Sequence, residues 1–108
     1  MAPPSRTKLK KAMLAMFLET DNAKKKKCSK KFTKLLFEYV EAYAKTKDED
    51  EIALLQMQSI GIFSQYVFRK NQEKSGQKEK NPKKTLEKIA EESDELYDEI
   101  EANINQQA

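Results

Sequence analysis

An all-α fold is the expectation for this chain: three helices in a compact body and a fourth, acidic and amphipathic, after a lysine-rich linker. Three observations predict it. Apolar residues recur at three- and four-residue steps in three separate segments, the spacing of a helix face. Only two glycines and three prolines punctuate the 108 residues. A single stretch, Ile60 to Phe68 (IGIFSQYVF), has the β-branched and aromatic content of a strand. No second candidate exists to pair with it, so helix is preferred there over strand.

The elements follow in order. Residues 1–6, opening MAPPS, read as a disordered N-terminus, and residues 7–71 as the helical body. Ser5 or Thr7 caps a first helix running to about Thr20, with Leu9, Ala12, Met13, Met16 and Phe17 on one face. Thr20 to Lys27 is polar, and its Asp21-Asn22 pair reads as a stop and turn. The second helix spans Ser29 to Lys45. Phe32, Leu35, Leu36, Tyr39, Val40 and Tyr43 form its apolar stripe, widened by Phe37 and Ala44. Lys34–Glu38 and Glu41–Lys45, each four residues apart, have the spacing of supporting ion pairs.

Asp48-Glu49-Asp50-Glu51 opens the third helix. Asp48 has the chemistry of an N-cap, and the acids after it suit the positive end of the helix dipole. An EF-type calcium loop would need a central glycine and a distal glutamate, and neither follows. IALLQMQSIGIFSQYVF then runs seventeen residues without charge and is apolar all round the wheel. Such a helix is buried on every side, and a partner chain is expected to help cover it. Gly61 in mid-helix costs about 1 kcal/mol relative to alanine, a cost that close helix–helix contact would justify.

Residues 72–84 read as a mobile basic linker, with Asn81-Pro82 restarting the chain as N-cap and first helical residue. The acidic C-terminal helix covers residues 85–104. Leu86, Ile89, Ser93, Leu96, Ile100 and Asn103 step as a short heptad seam with a weak middle at Ser93. It is too short to stand alone and is expected to dock on the body, a partner or a symmetry mate.

Charge is the strongest functional signal. The net charge is only +3, yet residues 1–45 carry +8 and residues 85–108 carry −7. That asymmetry points to a polyanionic partner, to self-association, or to a tail shielding its own basic face. The cations Arg6, Lys8, Lys10 and Lys11, the run Lys24, Lys25, Lys26 and Lys27, and then Lys30, Lys31 and Lys34 are the candidate contacts to a DNA or RNA backbone. Clustered lysines release condensed counterions from phosphates and bind with steep salt dependence. Phe32 and Phe37 lie close enough in sequence to stack on bases, though Phe32 fits the core stripe better.

Ile52, Leu55, Ile60, Gly61, Phe63 and Val67 on the third helix, with Leu86, Ile89, Leu96 and Ile100 on the last, are the candidate protein-interaction residues. Homo-oligomerisation is expected, and the acidic tail offers a surface to a basic protein partner.

Other classes fall away. The chain has no histidine, so histidine base catalysis and histidine zinc ligation are excluded. The lone Cys28 makes neither a disulfide nor a metal cluster, and it reads as a small half-buried apolar residue in an intracellular protein of the cytoplasm, nucleoid or nucleus. Two glycines leave no phosphate-cradling loop. No catalytic residue, metal or cofactor is expected, and no membrane span.

The function expected is therefore non-enzymatic: an oligomeric helical accessory factor for DNA packaging, replication or transcription. It would grip a nucleic-acid backbone through its basic half and use the acidic helix for docking or shielding. The alternatives are an adaptor or inhibitor with no nucleic-acid role, or membrane-surface association through Met13, Met16 and Phe17 of the first helix.

Overall fold

A computed structural model describes residues 3–75 and 82–106. These form five helices: α1 (Arg6–Leu18), α2 (Asn22–Tyr43), α3 (Glu49–Ser75), α4 (Pro82–Glu91) and α5 (Asp94–Gln106). No strand occurs among the described residues, and Ile60 to Phe68 is helical throughout. α1 packs on α2 and α4, α3 packs on α2, α4 and α5, and α5 also meets α2.

Local chemistry sets the helix starts. The Ser5 hydroxyl accepts from the Lys8 amide at 3.1 Å and caps α1. Asp48 caps α3 by accepting from the Asp50 and Glu51 amides at 2.9 and 3.1 Å. The start of α2 departs from the sequence expectation. Asp21 lies in the short turn after α1 and is also the N-cap of α2: its carboxylate accepts from Ala23 at 2.9 Å and Lys24 at 3.2 Å. Lysine is a good helix former, so with a cap in place the whole lysine run becomes helix. At the other end α2 stops at Tyr43, with Ala44 extended. Lys45 thus lies outside the helix, and neither the Lys34–Glu38 nor the Glu41–Lys45 ion pair forms.

The expected last helix is two. Ser93 breaks it, as a residue whose hydroxyl competes for backbone groups. Its Oγ, fully buried, donates to the Ala90 carbonyl at 2.7 Å, while its own carbonyl accepts from Leu96 at 3.0 Å. Asp94 and Glu95 then open α5, where the dipole favours acids. The Asn81 cap expected before Pro82 and the centre of the linker, residues 76–81, lie outside the described residues; residues 72–75 continue α3.

One core joins all five helices. Leu9 and Met13 of α1 meet Phe32, Leu36, Tyr39 and Val40 of α2, with Tyr66 of α3, Ile89 of α4, and Leu96, Tyr97, Ile100 and Ile104 of α5. Each large side chain buried this fully contributes roughly 1.5–3 kcal/mol. The acidic C-terminal segment is therefore structural as well as charged. Phe63 sits 4.9 Å from Phe32 and 6.4 Å from Phe17, ring centre to ring centre, and ties α3 to α1 and α2. Tyr66 adds a polar tie, donating its hydroxyl proton to the Glu92 carbonyl at 3.1 Å.

α3 is not buried on every side by its own chain. Leu54, Met57 and Phe68 are 54, 68 and 65% exposed. Two flanking helix layers cannot wrap a cylinder completely, so one face stays bare.

Candidate nucleic-acid interface

The structure divides the front-half cations into two groups. Arg6, in the first turn of α1, reaches α5: its guanidinium donates to Asp94 at 3.4 Å, to Asp98 at 2.8 Å and also to Glu101. It also lies over the Tyr97 ring, 5.9 Å from the centroid. Lys10, one turn on, pairs with Asp94 at 2.8 Å. Hydrogen bonds from Lys10 and then Arg6 hold the Asp94 carboxyl below its usual range. These two cations serve an intramolecular clamp between chain ends. On α3, Arg69 pairs with Glu99 at 3.0 Å and Lys70 with Glu95 at 3.1 Å, a tie the sequence reading missed. The signal for it was a pair of cations just before the linker and a helix of acids just after.

Beneath the clamp, the Tyr39 and Tyr97 rings meet at a tilt of 59° with centroids 5.8 Å apart, and both hydroxyls are buried without a hydrogen-bond partner. Burial pushes the Tyr39 phenol up to about 12 and raises that of Tyr97 as well. Both stay neutral at physiological pH.

The second group is uncommitted. Lys8 and Lys11 of α1, and Lys24, Lys25, Lys26, Lys27, Lys30, Lys31 and Lys34 of α2, are all exposed. None takes part in an ion pair among the described residues. The first two turns of α2, Asn22 through Lys27, are exposed all round, so the helix start projects from the body. Lys24, Lys27, Lys31 and Lys34 line one face at helical spacing, and Lys30 widens it. Lys30 and Lys34 also line an open depression of ≈ 570 Å³ with Ser29, Thr33, Phe37, Glu38 and Glu41. Phe37 is half-buried there, with its apolar ring beside lysine stems. Phe32, at 1% exposure, belongs to the core and is not available for stacking. Cys28 is a half-buried free thiol between the lysines.

Comparison with protein-family models, curated proteins and solved structures finds no match to this chain.

The candidate protein-interaction residues are distributed unevenly. Leu55, Ile89, Leu96 and Ile100 lie in the chain's own core, at 4% exposure or less. Ile60, Phe63, Val67 and Leu86 pack against that core, and Ile52 is half-buried. Gly61 is exposed, and a Cβ built on it meets nothing within 4 Å. No contact within the chain accounts for that glycine. The bare face of α3 carries Leu54, Met57 and Phe68 instead, residues the wheel did not separate from their neighbours.

Met13 is core, and Met16 and Phe17 are half-buried and pack against it. No described helix is long and apolar enough to cross a membrane. Among the described residues no group of three or more His, Cys, Asp or Glu side chains is placed to hold a metal ion.

Proposed function

We propose that this chain is a non-enzymatic, self-associating helical protein whose projecting α2 lysine face, flanked by Lys8 and Lys11, contacts a nucleic-acid backbone. An accessory role in DNA packaging, replication or transcription is the reading. The single observation that carries it is a run of like charges with no ion-pair partner. Lys24–Lys27, Lys26–Lys30, Lys27–Lys30, Lys27–Lys31, Lys30–Lys34 and Lys31–Lys34 are like-charge neighbours on one helix. At about 0.2–0.5 kcal/mol each they destabilise α2 by about 1–3 kcal/mol. The first of them stand near the positive end of the helix dipole, which adds to the cost. That is a sizeable share of the roughly 5–15 kcal/mol typical of a domain. None of these lysines forms an ion pair with an acidic side chain among the described residues, whereas a row of phosphates would offset the repulsion.

The acidic helix fits the shielding half of the expectation. Its carboxylates engage Arg6 and Lys10 and so take those two cations away from an external anion. Phosphate contact then falls to the α2 lysines with Lys8 and Lys11.

Fluorescence anisotropy of a labelled DNA duplex and a labelled RNA strand, at low and at physiological salt, tests the reading. The log of affinity is expected to fall linearly with log salt, with a slope near −0.9 per phosphate neutralised on a duplex. Replacing Lys24 to Lys27 by alanine is expected to flatten that slope by about three to four. No binding at low salt would overturn the proposal. Substitution is the right perturbation here, because deleting the C-terminal segment would strip Ile89, Leu96, Ile100 and Ile104 from the core.

A further inference from the structure

The bare face of α3 has an order of its own. Leu54, Met57, Gly61, Ser64 and Phe68 step by three and four residues, a heptad seam along α3. All five are exposed. Its large side chains stand at the ends and its small ones, Gly61 and Ser64, at the middle. Leu54 lies seven residues before Gly61, and Phe68 seven residues after it.

A seam with that layout is complementary to itself when reversed. We infer that α3 pairs with α3 of a second copy of this chain, antiparallel, about a two-fold axis passing beside Gly61. The inference rests on the self-association included in the function proposed above, and it names the surface and register. In that register Leu54 of each copy packs on Phe68 of the other, twice per dimer, as a two-fold interface requires. The missing Cβ of Gly61, which leaves open space in the single chain, lets the two backbones approach at the crossing.

Charge selects the same orientation. Asp48, Glu49, Asp50 and Glu51 gather at one end of α3, and Arg69 and Lys70 stand toward the other. A parallel pair would set four acids beside four acids. The antiparallel pair separates the two acidic clusters and opposes the two helix dipoles. It sets each cluster opposite residues 71–74 of the other copy, with Glu73 as the one acid among residues 71–73, next to Arg69, which keeps 43% of its side chain exposed. The interface also differs from the one the wheel suggested. Leu55, Phe63 and Val67 face inward, so Leu54, Met57 and Phe68 carry the contact around the shared Gly61.

Sedimentation velocity over low micromolar to submillimolar concentrations is the first arm. The wild-type chain is expected to move from monomer to dimer as concentration rises. A chain carrying Met57→Glu and Phe68→Glu is expected to stay monomeric and keep its helical circular dichroism, both positions being exposed in the single chain. The second arm is thiol cross-linking in a Cys28→Ser background. Equimolar Leu54→Cys and Phe68→Cys chains are expected to form a mixed disulfide, while each alone forms little, since cysteine pairs only across short Cα separations.

A wild-type chain that is monomeric throughout would overturn self-association and this interface together. A dimer that survives both glutamates, or that cross-links Leu54→Cys to itself, would leave self-association standing and overturn the antiparallel α3 seam. The nucleic-acid reading is measured separately by anisotropy and does not depend on either result.

Discussion

Replacing Lys27 by alanine should make this protein more stable while weakening what it binds. Lys27 has three like-charge neighbours on α2: Lys24 and Lys30 three residues away, and Lys31 four away. Removing its charge relieves about 0.6–1.5 kcal/mol of repulsion. Alanine adds a few tenths more through its higher helix propensity. The side chain is exposed and makes no ion pair, so little packing is lost in return. A gain near 1 kcal/mol corresponds to a Tm increase of about 4–8 °C for a domain of this size. The assay is thermal unfolding by circular dichroism at low salt and again near 1 M salt. At 1 M salt the screening length shrinks to about 3 Å, and only the propensity gain should survive. Lys27→Ala that destabilises the fold, or stabilises it equally at both salt concentrations, would refute the reasoning. It would mean that the lysine run is compensated within the chain and is no standing cost, and the argument for an external polyanion would go with it.

Further outcomes are expected elsewhere. Ile100→Ala should cost about 2–5 kcal/mol in a single cooperative unfolding transition; a separate early transition for the C-terminal helices would contradict one shared core. Gly61→Ala, measured at concentrations where the chain is monomeric, should raise stability by about 1 kcal/mol, because the added methyl meets only open space and the helix gains propensity. The folded-state pKa of Asp94 is depressed by Lys10 and Arg6, so its stabilisation is complete above the unfolded value near 4 and is lost as pH falls through the folded value. Thermal unfolding from pH 6 down to pH 2 should show that loss, and Asp94→Asn should be flatter over the same window. Tyr66→Phe should cost about 0.5–1.5 kcal/mol by removing the bond to the Glu92 carbonyl, read from chemical denaturation.

Helices were legible because their causes are local. The period of the apolar residues, the capping chemistry of Ser5 and Asp48 and the scarcity of glycine all act within a turn or two. Where two local signals competed, the reading slipped. Asp21-Asn22 carries both turn and cap chemistry, and lysine's helix propensity resolved it as a cap, so the lysine run became a projecting helix. Ser93 was visible as a weak point in a heptad seam, but its hydroxyl also serves as a local backbone partner, and that broke the seam into α4 and α5.

The candidate site was legible as a list of lysines and illegible as a surface. By itself the sequence determined an all-α chain with a basic front, an acidic end and no histidine. Only the tertiary structure decided that Arg6 and Lys10 belong to Asp94, Asp98 and Glu101, partners more than eighty positions away along the chain. It alone decided that Leu54, Met57 and Phe68 stay bare while Leu55 and Tyr66 are buried on the same helix. The physical reason is common to both. A charge or an apolar side chain carries its chemistry wherever it stands, but whether that chemistry is spent or still available depends on what the rest of the chain brings alongside it.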